Sequence, residues 1–415
     1  MFDPTSDRFW DEGALKGEFV RVFDICNGCR RCYNLCPSFI SLFKAIDSER
    51  VDGEAERLTD GDFHQVVNLC YQCKLCFNHC PYTPPHRFDI DFPRMMLRAK
   101  AVQAKRRGVT FQDRLLGNID LLGWLGSITA PFSNWANRNR LNRYIMHRLL
   151  GIHKDRALPK YSRRTFARWF KGHEGIQGER GKVALFYTCF VNYYSPQVGM
   201  AVVEVLERNG VEVICPEQRC CGMPYLDGGD LKSAIKNVSF NVEHLGRAVK
   251  EGYLVIVPGP TCGYMLKHEY PLLGGTEAGA VAQSTLDICE FLMRQRERGL
   301  LDSDFKNRPG PIAYHLPCHL KAQNIGYKSM ELMGLIPGAE VTLIEACSGV
   351  DGTWGLKREF FELSLKVGER LFNEMKASRP SLAVSDCPLA SMQIEQATGI
   401  RPVHPVQVLK YAYGI

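Results

Sequence analysis

Two copies of one cysteine spacing constrain this chain more than any other feature. Eight of its 17 cysteines lie in them. Each copy has three cysteines with two residues between neighbours, then three more residues and a Cys-Pro pair; the copies span Cys26–Pro37 and Cys70–Pro81. Three thiolates spaced in this way can wrap one face of a 4Fe-4S cube, and the pattern is that of ferredoxins with two such clusters. The sequence therefore predicts an electron-transfer protein.

The fourth cysteine of each run is expected to serve the other cluster, as in two-cluster ferredoxins. One predicted ligand set is Cys26, Cys29, Cys32 and Cys80, and the other is Cys70, Cys73, Cys76 and Cys36. The alternative is a pair of zinc sites, which requires cysteines in two pairs rather than in evenly spaced triplets. The repeated triplet followed by Cys-Pro favours iron-sulfur clusters.

The length of 415 residues and the apolar content of 45% indicate two or three globular domains. Because the cysteines have metal-binding spacings, a reducing compartment is expected, and we predict a cytoplasmic protein. The acidic, polar N-terminal stretch does not resemble a secretory signal. No apolar run is long enough to predict a membrane-spanning helix.

Residues 94–171 carry a strong local excess of positive charge. They contain 18 Lys and Arg against three acids, Asp113, Asp120 and Asp155, a balance of +15 that leaves −8 for the rest of the chain. Leucine, isoleucine and tryptophan side chains run through residues 115–128 of this stretch. Basic amphipathic segments suit an anionic membrane surface, so the chain is expected to lie peripherally on the inner face of the cell membrane. The alternatives are a solvated linker and a face that docks on an acidic partner; no nucleic acid is expected.

Helical periodicity predicts an all-helical ferredoxin domain. Apolar residues recur at helical spacing over residues 38–47, and Thr59 or Asp60 can cap a second helix that ends near Leu69. From about residue 182 the pattern changes to alternating strands and helices, which indicates an α/β region. The predicted fold class is thus α+β and multidomain.

The remaining cysteines reveal an internal repeat. Cys189, Cys220-Cys221 and Cys262 correspond to Cys318, Cys347-Ser348 and Cys387 at offsets of 129, 127 and 125 residues. Each set follows apolar strands, and α/β folds gather ligands at the carboxyl ends of their strands, so both sets are metal candidates. The predicted domains are a ferredoxin domain at 1–100, a basic connector at 101–178, and two repeats at 179–305 and 306–415.

Several longer motifs resemble a known family. They are DRALPKYSRRTFARWF, ALFYTCFVNYYSPQVG, RCCGMPY, YHLPCH and DCPLASMQIE. They resemble the iron-sulfur subunits with duplicated cysteine-rich "CCG" domains found in heterodisulfide reductases, glycolate oxidases and lactate-utilisation systems, and most of all those of anaerobic glycerol-3-phosphate dehydrogenases. The resemblance implies a subunit that carries electrons from a flavoprotein dehydrogenase to a quinone or a disulfide, without an independent active site. No glycine-rich nucleotide fingerprint follows a strand, so the flavin is expected on the partner.

Both repeats depart from the family pattern of five cysteines. The first ends in Cys262-Gly263-Tyr264-Met265, and the second has Ser348 and Ala390 where the family has thiols, which leaves it three thiolates. The second repeat can hold a modified iron-sulfur cluster, zinc, or no metal. Candidate fourth ligands are Ser348, Asp386, His315 and His319, although each histidine can instead serve as a hydrogen-bonding residue.

Two other functions compete with the membrane-associated subunit. One is a soluble redox module that reduces a disulfide or feeds a non-haem iron peroxide reductase, which the incomplete second repeat makes more plausible. The other is a cluster-bearing scaffold or sensor. Such a protein needs neither two ferredoxin clusters nor a long electron path, so the two cysteine runs argue against this function.

Overall fold

The N-terminal region is entirely helical. The computed structural model describes residues 2–415. Its first six helices are α1 Asp7–Trp10, α2 Glu12–Cys29, α3 Pro37–Ile46, α4 Asp60–Leu69, α5 Leu75–His79 and α6 Phe92–Arg107, with a 3-10 turn at Ala55–Arg57. The two helices predicted between the cysteine runs are confirmed as α3 and α4. The Thr59 hydroxyl and the Asp62 carboxylate form a capping box at the start of α4.

Stacked phenylalanines form the core of this helical region. Phe39 stacks on Phe92 with ring centroids 4.4 Å apart, and Phe19 stacks on Phe63 at 5.1 Å. Each fully buried phenylalanine contributes about 1.5–3 kcal/mol through the area removed from water. Helix α6 has a second buried face: Met96 and Ala99 point into this core, whereas Leu97 and Ala101 belong to the core of the first repeat.

Five short helices follow α6, and the segment that contains them contacts both repeats. They are α7 Phe111–Gly117, α8 Ile119–Ile128, α9 Ala130–Ala136, α10 Arg140–Ile145 and α11 Phe166–Phe170, and a π-helical turn at Met146–Leu150 extends α10. The Asp113 carboxylate pairs with Lys357 of the second repeat at 2.6 Å. The Ser162 backbone N–H donates to the Tyr193 carbonyl of the first repeat at 2.8 Å. The connector is therefore fixed to both repeats.

The first repeat is a parallel α/β unit. It comprises β1 Gly181–Leu185, α12 Cys189–Tyr193, α13 Pro196–Arg208, β2 Val211–Ile214, α14 Met223–Asp227, α15 Leu231–Lys250, β3 Leu254–Val257, α16 Pro260–Tyr264, a π-helical turn at Met265–Glu269, α17 Tyr270–Leu273, α18 Gly275–Gln283, β4 Thr285–Asp287 and α19 Ile288–Glu297. The strand order is β2-β1-β3-β4, with Gly181 opposite Val211 and Val183 opposite Leu254.

The second repeat has the same strand order over its three strands. It comprises β5 Pro311–His315, α20 Cys318–Ala322, α21 Lys328–Met333, β6 Glu340–Ile344, 3-10 turns at Trp354–Leu356 and Arg358–Phe360, α22 Phe361–Ala377, β7 Leu382–Ser385, α23 Pro388–Thr398 and α24 Pro405–Tyr413. The order β6-β5-β7 matches β2-β1-β3, and a parallel bridge from Val384 to Val403 stands where β4 lies in the first repeat. The fold class predicted from the sequence is confirmed.

The repeats pack on each other through one continuous core. Val202 and Leu206 of α13 belong to the same buried cluster as Val408 and Leu409 of α24. The His404 imidazole also hydrogen-bonds the Pro258 carbonyl across the junction at 2.8 Å. Across residues 2–415, the length and apolarity needed to cross a bilayer are not found together in any helix.

Candidate metal centres

The first predicted ligand set converges at the C-terminal end of α2. Cys26 and Cys29 lie in its last turn, Cys32 follows in the next turn, and Cys80 caps α5. Burial, together with the charges of Cys32, Cys80 and Cys29, raises the pKa of the Cys26 thiol to about 12. The fourth cysteine of the second run thus lies with the first run, as the predicted ligand set requires.

The second ligand set lies deeper. Cys36 precedes α3, Cys70 caps the end of α4, Cys73 lies just before α5, and Cys76 lies within α5. Burial raises the pKa of the Cys36 thiol to about 12, and the charge of Cys70 acts in the same direction. Metal binding to cysteine requires the thiolate, so each cluster that binds here would displace the thiol protons of its ligands. All 17 cysteines carry free thiols, and each set of four fits a 4Fe-4S cluster.

The second set adjoins both repeats. The Tyr71 hydroxyl and the Cys347 thiol are hydrogen-bonded at 3.4 Å. The Gln72 carbonyl lies 2.9 Å from His319 Nε2. Lys74 is buried beside Glu269 of the first repeat, with its Nζ 3.8 Å from the carboxylate and 2.7 Å from Gln72 Oε1. The loop that carries these ferredoxin cysteines is therefore an interface with both cysteine-rich units.

The four thiols of the first repeat lie together at the carboxyl ends of its strands. Cys189 begins α12 after β1, Cys220 and Cys221 lie between β2 and α14, and Cys262 lies in α16 after β3. Cys220 and Cys262 both raise the pKa values of Cys189 and Cys221, so the four thiols are close neighbours. Because two neighbouring thiols stabilise its thiolate, the pKa of Cys220 is lowered well below its ordinary value. Four converging thiols fit an iron-sulfur cluster in this repeat.

Backbone contacts hold the Cys220-Cys221 loop in place. The Asp120 carboxylate accepts from the Cys220 N–H at 2.8 Å, and burial raises the pKa of Asp120 to about 7. The Tyr270 hydroxyl donates to the Cys221 carbonyl at 3.1 Å. Gly222 follows with φ +97°, and Gly349 has φ +70° at the equivalent place in the second repeat. A side chain at Gly349 would place its Cβ only 2.0 Å from the Ser364 carbonyl oxygen, so both turns require glycine.

An apolar cavity of about 290 Å³ adjoins the four thiols of the first repeat. One wall of the cavity is formed by connector side chains, namely Leu115, Ile119, Leu122, Leu150, Leu158 and Tyr161. The cavity is also lined by the four thiols of the first repeat, Cys189, Cys220, Cys221 and Cys262, and by Cys387 of the second repeat. Cavities of this size and character accommodate small aromatic ligands.

The second repeat has fewer thiols, and they are less tightly gathered. Cys318 begins α20, Cys347 follows β6, and Cys387 precedes α23. The Cys318 thiol donates to Asp351 Oδ2 at 3.7 Å, whereas the Cys347 thiol contacts Tyr71 and the Gly349 N–H. Three thiols are one short of the four thiolates that hold an ordinary cube, so the residues here do not fit that cluster.

All four candidate fourth ligands already have hydrogen-bond partners, and those of His319 are the Gln72 carbonyl and the Thr261 hydroxyl. Both ring nitrogens of His315 are hydrogen-bonded, to the Ser385 hydroxyl at 2.9 Å and to the Ala346 carbonyl at 3.2 Å. Asp386 accepts from Tyr314 and Ser329, and the Ser348 hydroxyl donates to the Val350 carbonyl. The carboxylate that does face Cys318 belongs to Asp351, which lies in none of the sequence motifs.

The two cysteines outside the motifs lie apart from these groups. Cys289 is fully buried in the common core of the repeats, and Cys215 packs against that core. Burial raises the pKa of both thiols. Neither adjoins a candidate metal centre.

Comparison with protein families finds three matching segments in the chain. Residues 19–106 match the Citrate utilization protein B Fer4-like domain, and residues 183–267 and 312–395 each match the Cysteine-rich domain. The two separate matches to one family model agree with the duplication inferred from the cysteine offsets.

Several known proteins share extended similarity with the chain. A subunit of the anaerobic glycerol-3-phosphate dehydrogenase of Escherichia coli K12 is 32% identical over 328 residues, which cover 78% of this chain and 82% of that protein. A subunit of the CoM/CoB fumarate reductase of Methanothermobacter marburgensis is 30% identical over 56% of this chain and 45% of its own length. Lactate utilization protein A of Bacillus pumilus is 33% identical over 42% of this chain and 75% of its own length.

Proposed function

Because this chain belongs to the family of iron-sulfur electron-transfer subunits represented in anaerobic glycerol-3-phosphate dehydrogenase, we propose that it carries electrons from a flavoprotein dehydrogenase to a quinone. Two 4Fe-4S clusters, held by the Cys26 and Cys70 ligand sets, would supply one-electron carriers. The quinone would bind in the apolar cavity beside the first repeat. Two electrons and two protons convert one quinone into a quinol.

The observation that carries this proposal is the continuity of the thiol groups. The charge of Cys32 in the first set disfavours deprotonation of Cys76 in the second set, so the two sets are neighbours. Cys73 of the second set lies within electrostatic reach of Cys347. Cys387 of the same repeat lines the apolar cavity together with the thiols of the first repeat. These neighbouring groups support a route from the first ferredoxin site to the cavity.

The exposed end of this route suits an electron donor. All four cysteines of the first set are only half-buried, and Tyr33 beside them is 41% exposed. The positive charge of Arg31 favours the thiolate forms of Cys32 and Cys80. Arg31 is exposed, so the surface here carries positive charge. We expect the flavoprotein to dock at this end through an acidic face.

The acceptor site can be tested by filling the cavity. The full-length protein, reduced anaerobically, is mixed with a short-chain naphthoquinone, and the visible absorbance of the oxidised clusters is followed. Leu158→Trp should slow reoxidation at least about tenfold because the larger ring occupies the space that the quinone needs. Iron content and the spectrum of the reduced clusters should be unchanged.

The matched control is Leu254→Trp, which adds the same ring at an exposed position that does not line the cavity. It should reoxidise like the unsubstituted protein. Equal rates in all three proteins would place the acceptor elsewhere. Rapid reoxidation by a disulfide, but not by the quinone, would favour the soluble redox module.

The connector offers a membrane-facing surface. Among residues 2–415, 11 of the 19 exposed large apolar side chains lie between Phe111 and Leu149, and Phe132 and Leu149 are 67% and 72% exposed. Arg138, Arg140 and Arg148 are exposed beside them. Asp113 and Asp120 point inward to Lys357 and Cys220, so the outer face keeps its positive charge. Aromatic and basic side chains together suit an anionic bilayer, and this supports a peripheral location on the inner face of the cell membrane.

Vesicle flotation tests this surface. Binding to vesicles that contain phosphatidylglycerol should decrease with added salt, because the attraction is partly electrostatic. Phe132→Ser with Trp135→Ser should weaken binding at least about tenfold, since each buried aromatic contributes about 1.5–3 kcal/mol and about 1.4 kcal/mol is tenfold. The control pair, Leu254→Ser with Tyr411→Ser, removes exposed apolar side chains outside the connector and should bind normally. Equal binding by both pairs would contradict the membrane surface.

A further inference from the structure

A second kind of candidate site lies within the second repeat. Cys318, His319 and Asp351 each offer one ligand atom, and these three atoms lie within 4.8 Å of one another. His319 and Asp351 are buried, and Cys318 is half-buried. Sulfur, nitrogen and oxygen donors converge here without forming part of either ferredoxin set.

The spacing of these atoms is close to that around a tetrahedral zinc ion. Bond lengths of about 2.0–2.3 Å to zinc imply separations of about 3.3–3.8 Å between neighbouring ligand atoms. Asp351 Oδ2 lies 3.7 Å from Cys318 Sγ and 3.7 Å from His319 Nε2. Both distances fall within the range that a bound zinc ion requires.

An enclosed cavity of about 10 Å³ lies at the same place. Cys318, His319, Asp351 and Cys387 line it. A volume of this size corresponds to about one water molecule or one ion and is far too small for a four-iron cube. The cavity provides room for a single cation and a fourth ligand for it.

Both ring nitrogens of His319 have oxygen partners. Its Nδ1 lies 2.9 Å from the Thr261 hydroxyl, and its Nε2 lies 2.9 Å from the Gln72 carbonyl. Histidine ligands commonly use one ring nitrogen for the metal and hydrogen-bond an oxygen through the other. Because a carbonyl oxygen only accepts, Nε2 donates to Gln72 in this structure and Nδ1 accepts from Thr261. Metal binding would place the proton on Nδ1, which would then donate to Thr261, and Nε2 would exchange the Gln72 carbonyl for the cation.

We propose that Cys318, His319, Asp351 and Cys387 bind one zinc ion. Two thiolates, one imidazole and one carboxylate are a donor set that zinc accepts in tetrahedral structural sites. Cys347 remains outside the site, hydrogen-bonded to Tyr71 beside the second ferredoxin set. All four ligands belong to the second repeat, so the ion would hold together the loops at the carboxyl ends of its strands. This inference does not depend on the identity of the electron donor or acceptor.

Metal analysis of the full-length protein tests the proposal. After anaerobic purification and dialysis against a chelator, we expect about one zinc ion per chain, with a zinc X-ray absorption spectrum of about two sulfur and two nitrogen or oxygen ligands. Zinc with four sulfur ligands would indicate misloaded ferredoxin sites and would overturn the assignment. Absence of zinc, or extra iron that depends on Asp351, would do the same.

Variants locate the ion. Asp351→Ala and His319→Ala should each lower the zinc content at least about fivefold, while the paramagnetic signals of the two reduced ferredoxin clusters persist. Cys215→Ala, which removes a thiol outside every site, should keep a full complement of zinc. If Asp351→Ala does not fold, Asp351→Cys should retain zinc and shift its spectrum toward three sulfur ligands. Full zinc content with an unchanged spectrum in these variants would overturn the proposal.

Discussion

Replacing Cys80 with alanine should remove about four iron atoms per chain and abolish the cluster held by the first cysteine run, although Cys80 belongs to the second. The reason is geometric, because Cys80 lies with Cys26 and Cys32, whose pKa values respond to its charge. Iron analysis combined with paramagnetic resonance of the reduced protein measures the effect. The magnetic interaction between two reduced clusters should disappear and leave the signal of a single cluster.

The reciprocal variant, Cys36→Ala, should abolish the other cluster. That cluster should also be lost in Cys70→Ala, because Cys70 lies close enough to Cys36 for its charge to disfavour the Cys36 thiolate. The residual signal of Cys80→Ala should therefore differ from the one shared by Cys36→Ala and Cys70→Ala. If Cys80→Ala instead resembled Cys70→Ala, each run would serve its own cluster and the assignment would be wrong.

Replacing Cys220 with alanine should block delivery of electrons to the quinone while leaving both ferredoxin clusters reducible. Cys220 neighbours Cys189 and Cys221, whose thiols lower its pKa. Loss of this ligand should remove any iron beyond about eight atoms per chain. Since loss of even a supporting residue costs about 10–100-fold, we expect naphthoquinone-driven reoxidation to fall at least about a hundredfold.

Stopped-flow absorbance after anaerobic reduction measures this second effect. The control is Cys289→Ala, which removes a buried thiol of the same region that faces the core rather than the cavity. It should reoxidise at the normal rate. Unchanged reoxidation in Cys220→Ala, with the iron content at about eight in both proteins, would mean that electrons leave from the ferredoxin domain itself.

Much of the architecture was predictable because its signals are local. The first three cysteines of each run lie in neighbouring loops and helix ends, so their spacing indicates that they meet, and the two-cluster ferredoxin pattern supplies the exchange of Cys36 and Cys80. The capping box at Thr59 and the apolar periodicity of α3 likewise depend on neighbours in sequence. The repeat could be recognised because Cys189, Cys220 and Cys262 recur at nearly constant offsets, and the equal strand orders of the two sheets agree with it.

The contacts between regions were not predictable in the same way. Leu115 and Leu158 of the connector line the cavity beside the thiols of the first repeat. Neither the charge nor the hydropathy of residues 101–178 indicates this contact. Asp351 was missed because its carboxylate approaches Cys318 from a loop 33 residues away. Its position four residues after Cys347, at a site where two family thiols are absent, was the available signal.

The shared burial of α6 has a consequence for how fast electrons can move. One face of this helix lies in the ferredoxin core and the other in the core of the first repeat, and a single core joins the two repeats. A swinging carrier domain would have to expose these apolar faces at a cost of several kcal/mol. The redox centres are thus held at constant separations, and the internal transfer rate should be independent of solvent viscosity.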